Sequence, residues 1–130
     1  MEYKKLAEMA VEAKSSSHPP YSNFHVGAAL LTDEEKVIIG GNIETSSYSL
    51  TICAERVAVF KAFSEGERKF KAIAIASDAP GFCPPCGACR QVMFDLCGDI
   101  DIVMVNNKNE IKALRLSQML PYPFGDNELQ

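Results

Sequence analysis

Two short cysteine-containing stretches, far apart along the chain but chemically complementary, limit the possible folds more than any other feature. Residues 53–56 read Cys-Ala-Glu-Arg, and residues 85–91 read Pro-Cys-Gly-Ala-Cys-Arg-Gln. Three thiolates suit a zinc ion with one position left for a water molecule, and a nearby carboxylate suits proton transfer with that water. The candidate ligands are Cys53, Cys86 and Cys89, and the candidate proton carrier is Glu55.

Alternating strand and helix patterns indicate how the chain can bring these stretches together. Hydrophobic periodicity predicts strands at 24–31, 37–39, 71–76, 101–105 and 111–114, and helices at 6–13, 53–63 and 87–96. Thr51 is the predicted N-cap of the second helix. Because crossovers between parallel strands are right-handed, the second and third helices should lie on one sheet face. Their N-termini then meet beyond the carboxyl ends of the strands, where helix dipoles favour thiolates.

Length and composition restrict the class of protein. The chain has 130 residues, of which 47% are hydrophobic, so we expect a single domain over residues 1–130 with a real core. The formal net charge of -4, without a dense Lys/Arg cluster, argues against a nucleic acid partner. No apolar run approaches the roughly 20 residues of a membrane span, and residues 1–14 lack a signal-peptide core. We therefore expect a cytoplasmic protein.

The cysteines also admit other interpretations. There are five, an odd number, and four of them lie between Cys83 and Cys97, which favours metal or redox chemistry over a disulfide framework. Cys86 and Cys89 alone could form half of a structural zinc site, and Cys83 with Cys86 could form a redox pair. Cys97 is most simply a buried apolar residue.

A polar pair after the second strand suggests a sugar site. Asn42 and Glu44 are two residues apart, so in an extended chain their side chains point to the same side. An amide and a carboxylate placed in this way can bind two vicinal hydroxyl groups. The simpler interpretation is a polar loop edge.

Taken together, these segments resemble the small homotetrameric cytidine deaminases over nearly the whole chain. Besides the two cysteine stretches, which are the cysteine-ligated form of the zinc deaminase signature, the matching segments follow in the family's order. They read Pro-Tyr-Ser-Asn-Phe at 20–24, Val-Gly-Ala-Ala-Leu at 26–30, Gly-Asn-Ile-Glu at 41–44, and Leu-Pro at 120–121 with Phe124. The resemblance implies an α/β fold, a three-layer sandwich with a five-stranded mixed sheet, and one zinc ion per chain.

The resemblance also implies a role for each matching residue. Cys53, Cys86 and Cys89 would hold zinc, and Glu55 would carry protons and contact N3 of the ring. Asn42 and Glu44 would bind the ribose, Phe24 would line the pyrimidine site, and the N–H of Ala54 would meet the base carbonyl. Tyr48 and Phe124 would reach a neighbouring subunit's site in a homotetramer. Arg56 would donate to the thiolates and reduce their negative charge.

The implied function is hydrolytic deamination of cytidine and deoxycytidine to uridine and deoxyuridine, in pyrimidine salvage. Two alternatives remain. One is a deaminase of a cytosine nucleoside antibiotic such as blasticidin S, although Asn42 and Glu44 suit a ribose with free hydroxyls. The other is a structural zinc module, for which Cys83 would have to supply a fourth ligand. Cys83, and Pro84 where many relatives carry a small residue such as serine, depart from the family pattern.

Overall fold

A mixed sheet of five strands separates two helical layers in the computed structural model, which describes residues 1–125. The strands are β1 (Val26–Thr32), β2 (Val37–Gly41), β3 (Phe70–Ser77), β4 (Asp101–Val105) and β5 (Ile111–Arg115). The helices are α1 (Tyr3–Ala13), α2 (Ala54–Ser64), α3 (Gly87–Cys97) and α4 (Leu116–Met119). The predicted α/β sandwich is confirmed, while residues 126–130 of the predicted domain lie outside the described residues.

The strand order β2-β1-β3-β4-β5 brings three strand ends to one edge of the sheet. Strand β1 is antiparallel to both of its neighbours, β2 and β3, and β3 is parallel to β4. Strands β2, β3 and β4 therefore run in the same direction, and their carboxyl ends at Gly41, Ser77 and Val105 share an edge. The two cysteine stretches lie in the chain segments that follow β2 and β3, so both segments start from this edge.

Both faces of the sheet are buried, which explains the continuous apolar runs in its central strands. In β1, Ala28 and Leu30 pack beneath α2 and α3, whereas Ala29 and Leu31 pack against α1 on the other face. Helices α2 and α3 thus lie on the same face, as the right-handed crossovers predict. Within residues 1–125, no helix combines the length and the hydropathy needed to cross a membrane.

Gly40 allows α2 to lie very close to the sheet. A Cβ atom at this position would be 2.7 Å from the backbone nitrogen of Ala58 and 2.8 Å from the carbonyl oxygen of Ala54. Such distances are too short for a side chain, and both atoms belong to the helix backbone. The glycine in β2 therefore sets the depth at which α2, and the residues at its N-terminus, lie on the sheet.

We predict that Gly40→Ala lowers the free energy of unfolding by about 1–3 kcal/mol, because the added methyl group forces α2 away from the sheet. Gly81→Ala is the matched control, since a Cβ at Gly81 meets no atom within 4 Å. Urea unfolding of both variants measures the difference. Equal stability of the two variants would contradict the close approach of α2.

Candidate metal centre and active site

The two cysteine stretches form the N-termini of α2 and α3. Cys53 is the N-cap of α2 and Cys86 is the N-cap of α3, and Cys89 lies in the first turn of α3. The prediction that Thr51 caps α2 is wrong: the chain remains extended through Cys53, and the helix begins at Ala54. The Cys86 sulfur accepts a hydrogen bond from the backbone N–H of Cys89 at 3.4 Å. A cysteine therefore takes the position that serine or aspartate usually fills.

The three predicted ligand thiols lie together. Their Sγ atoms are all within 4.8 Å of one another, and Cys53 Sγ is 3.8 Å from Cys86 Sγ. Tetrahedral zinc with Zn–S bonds of about 2.3 Å requires S–S separations of about 3.8 Å. Among residues 1–125 these three cysteines form the cluster that could hold a metal ion, and Cys83 is not part of that cluster. The thiols thus fit zinc with one position left over.

Proton sharing among these thiols follows from their contacts. The hydrogen bond from Cys89, with that from Arg56, lowers the pKa of Cys53 to about 5. The same hydrogen bond, together with burial, keeps the proton on Cys89 and raises the pKa of that thiol. A metal ion that bound all three sulfurs would have to displace this proton, because the thiolate is the metal ligand.

Arg56 lies against the thiols, as the resemblance implies. Its Nη2 donates to Cys53 Sγ at 3.6 Å, a contact that raises the pKa of the guanidinium further above its usual value. Its Nε is buried and has no hydrogen-bond partner among residues 1–125. An unpaired buried donor on a cation is costly unless negative charge compensates it. An anionic metal–thiolate group would supply that charge, so Arg56 also fits the presence of zinc.

Glu55 is the buried carboxyl group of this site. It follows Cys53 by two residues in the first turn of α2, and only 4% of its surface is exposed. Burial raises the pKa of Glu55 to about 7, and the negative charge of Cys53 adds to the effect. A carboxyl group that titrates near neutrality can both accept and donate a proton at physiological pH.

Glu55 and two of the three metal-site residues, Cys53 and Cys86, line one cavity of about 190 Å³. Ala54, Val26 and Asn42 also line this cavity. Cys83 and Pro84 are among the other lining residues, although Cys83 is not one of the three clustered cysteines. A larger open depression of about 430 Å³, lined by Tyr21, Ser22, Glu44, Tyr48 and Thr51, adjoins it through Thr51.

The predicted sugar-binding pair lies across these two depressions. Asn42 is buried, and its amide already bonds the backbone where the chain enters β1: Nδ2 donates to the carbonyl oxygen of Phe24 and Oδ1 accepts from Val26 N, both at 2.9 Å. One hydrogen on Nδ2 and one lone pair on Oδ1 are left for a ligand. The Glu44 carboxylate accepts from the hydroxyl and N–H of Ser22 and from the N–H of Tyr21, and these bonds lower its pKa.

Three predicted aromatic residues are not enclosed by their own chain. Phe24 is 38% exposed and lines neither depression, whereas Tyr48 lines the larger one and packs edge-on against Tyr21 with centroids 5.3 Å apart. Phe124 is 55% exposed and also lies outside both linings. Within residues 1–125, the aromatic wall expected for a base is therefore incomplete.

Sequence reasoning missed several lining residues. Tyr21 and Ser22 lie in the matching segment at 20–24, where only Phe24 was given a role, although a turn after two prolines already indicated a fixed loop. Thr51 lines both depressions, but it was predicted only as an N-cap and was given no part in the site. These side chains are polar or amphipathic and have no hydrophobic periodicity, so only their position beside Glu44 could have identified them.

Comparison with known proteins places the chain in a family. Residues 1–106 match the family described as the cytidine and deoxycytidylate deaminase zinc-binding region. A cytidine deaminase from Halalkalibacterium halodurans is 47% identical over 130 residues, covering 99% of this chain and 98% of the relative. A probable cytidine deaminase from Dictyostelium discoideum is 43% identical, covering 98% and 87%. The crystal structure of cytidine deaminase from Burkholderia pseudomallei superposes with a TM-score of 0.92, at 42% identity, covering 95% of this chain and all of that one.

We predict that Cys89→Ala lowers the zinc content well below one per chain and destabilises the protein, because metal binding is coupled to folding. Cys83→Ser and Cys97→Ala should keep one zinc per chain, since neither thiol belongs to the group of three. Metal analysis and thermal unfolding measure both effects. Equal zinc loss in Cys83→Ser and Cys89→Ala would overturn this ligand set and favour a closed structural site.

Proposed function

The chain belongs to the family of zinc-binding cytidine and deoxycytidylate deaminases and is an enzyme of that family, and we propose that it converts cytidine and deoxycytidine to uridine and deoxyuridine. One observation carries this proposal above the others. The buried carboxyl group of Glu55 shares a cavity with Cys53 and Cys86, two of the three thiols positioned to hold a metal ion. We further propose that the reaction serves pyrimidine salvage in the cytoplasm.

The proposed chemistry assigns the proton transfers to Glu55. When bound, zinc supplies acidity: it lowers the pKa of a water molecule toward neutrality. Glu55 accepts a proton from the attacking water and delivers it to ring N3 as the water oxygen adds to C4. Glu55 then takes the remaining hydroxyl proton and delivers it to the amino group, which leaves C4 as ammonia. The proton on N3 stays with the uridine product, so one water is consumed and one ammonia released.

Burial of Glu55 supports this assignment. Because its pKa is raised to about 7, neither the carboxylate nor the carboxylic acid is strongly favoured at physiological pH. Only 4% of Glu55 is exposed. The proton that its carboxyl group carries is therefore shielded from exchange with bulk water. The backbone N–H of Ala54, in the same cavity wall, is the proposed donor to the base carbonyl oxygen.

The position of Asn42 and Glu44 favours a nucleoside with free hydroxyl groups. The two side chains lie on adjoining depressions joined at Thr51, one buried near the thiols and one in the open part. A base bound near the thiols would thus direct its ribose toward Glu44. An antibiotic such as blasticidin S lacks a pentose with free hydroxyl groups, and a closed structural site would need Cys83 among the ligands.

Assembly completes the proposed site. Phe124 and Tyr48 are 55% and 69% exposed, so their own chain leaves both rings available to another subunit. We propose that the protein is a homotetramer in which these side chains reach a neighbouring subunit's base-binding site. Stacking of an aromatic ring on the pyrimidine would contribute about 1–3 kcal/mol and would help to exclude water.

We predict that the purified protein with one zinc per chain releases ammonia from cytidine and deoxycytidine, but not from blasticidin S or cytidine monophosphate. Glu55→Gln should keep zinc and fold yet lose about 10²–10⁴-fold or more in turnover, because it cannot carry the proton. Ammonia assays with metal analysis test both statements. Near-normal turnover by Glu55→Gln would refute the role of this residue, and preference for blasticidin S would refute the substrate.

A second prediction concerns sharing of the site. Chains carrying Glu55→Gln are co-assembled with chains carrying Phe124→Ala, each poorly active alone. If Phe124 acts in a neighbour's site, some mixed sites combine an intact Glu55 with an intact Phe124, and activity exceeds the sum of the two parents. Mere averaging of the parental activities, or sedimentation as an active monomer, would exclude the shared site.

A further inference from the structure

The chain after α4 is held to α3 by hydrogen bonds rather than by buried apolar surface. Pro121 and Pro123 have no N–H to donate, and Tyr122 lies between them with a φ of 54°. That conformation is uncommon for a bulky residue and persists only where neighbouring contacts impose it. Tyr122 itself is fully exposed. Its own side chain therefore does not hold the turn in place, so the contacts that do must lie on either side of it.

Those contacts come from two consecutive residues of α3. Before the turn, Arg90 Nη1 donates to the carbonyl oxygen of Met119 at 2.9 Å. After the turn, the Gln91 side chain pairs with both polar backbone groups of Phe124: Nε2 donates to the carbonyl oxygen at 2.6 Å, and Oε1 accepts from the N–H at 3.3 Å. The amide thus binds the Phe124 backbone in the way a neighbouring strand would.

This pairing fixes the backbone of Phe124 while leaving its ring available. The ring side chain remains 55% exposed, so the contact with Gln91 is not a by-product of packing the ring into its own chain. A donor and an acceptor on one planar amide fix both the position and the direction of a backbone segment. The direction in which the Phe124 side chain leaves the surface is therefore determined by Gln91.

Helix α3 also connects these contacts to the metal site. We call the hydrogen bonds of Gln91 to the Phe124 backbone the clamp, and residues 120–125 the tail. Gln91 follows Cys89 by two residues, and Arg90 also donates through Nε to the carbonyl oxygen of Pro85 at 2.9 Å, immediately before Cys86. The first turns of α3 thus hold two of the thiols at one end and the tail on the side. Any movement of the tail relative to the thiols would have to break these hydrogen bonds.

We propose that Gln91 is a positioning residue of the reaction, which acts by clamping the Phe124 backbone so that the aromatic ring is presented to a bound pyrimidine. The proposal rests on the proposed function, because it takes the ring to be a substrate contact. Gln91 itself is not among the residues that line the two depressions. Arg90 assists it by holding the start of the same turn at Met119.

A double-mutant cycle tests this role. Gln91→Ala should raise KM for cytidine about three- to tenfold, the effect of losing one or two ordinary hydrogen bonds, and change kcat by less than about twofold. In a Phe124→Ala background the same substitution should have almost no further effect on KM, because the ring it positions is absent. A purely structural role would instead give the same effect in both backgrounds, and that result would overturn the proposal.

Gln118→Ala is the matched control. Gln118 also bonds the backbone close to residues 120–125, accepting from the N–H of Arg115 at 2.8 Å, whereas the hydrogen bonds described for Phe124 are with Gln91. It should leave KM unchanged. Should Gln91→Ala lose zinc or unfold, Gln91→Glu replaces it, because the carboxylate keeps an acceptor for the Phe124 N–H but cannot donate to the carbonyl. A raised KM with zinc intact would support the clamp, and an unchanged KM would overturn it.

The position of the tail can be measured without catalysis. The chain contains no tryptophan, so a Phe124→Trp variant carries a single fluorescent indole in the tail. Adding Gln91→Ala should lower the anisotropy of that indole, whereas adding Gln118→Ala should not. Unchanged anisotropy would overturn the clamp. If the wild-type protein released no ammonia from cytidine, the proposed function would fail, and the anisotropy would still decide the clamp.

Discussion

Convergence of three sulfur atoms within 4.8 Å is the constraint on which the rest of the structure depends. Thiolates at this distance repel one another unless positive charge lies among them or beside them. The fold supplies such charge from two sources: the N-termini of α2 and α3, and the guanidinium of Arg56. Three thiolates with Zn²⁺ would carry a net charge of -1, and Arg56 brings the local sum to zero.

Placing both helix N-termini at one point requires the strand arrangement that the sheet adopts. Strands β2 and β3 run in the same direction although β1 separates them, so the two connections leave from the same edge. Gly40 lets α2 lie close enough to the sheet for Cys53 to reach the start of α3. The cavity between these elements is consequently small near the thiols and open toward Glu44, which matches a flat base attached to a polar sugar.

The sequence predicted this edge because each element is locally consistent with it. Strand β4 was predicted with its observed bounds, and the three clustered cysteines are those of the two stretches that resemble the zinc deaminase signature. The insertion of β1 between β2 and β3 was not predicted, because strand pairing depends on contacts remote in sequence. The bonds of Gln91 to Phe124 leave no periodic signal, since a polar side chain paired with an irregular backbone segment has no characteristic spacing.

Two glutamates in adjoining depressions differ in the way their proposed roles require. Glu44 accepts hydrogen bonds from Ser22 and Tyr21, which stabilise the carboxylate and lower its pKa. It therefore remains an acceptor, the form that can bind hydroxyl groups of a sugar. Glu55 is buried beside a thiolate, and its pKa rises to about 7, so it can carry a proton in both directions. One residue type can therefore serve sugar binding at position 44 and proton transfer at position 55, because burial and hydrogen bonding set the charge of each carboxyl group.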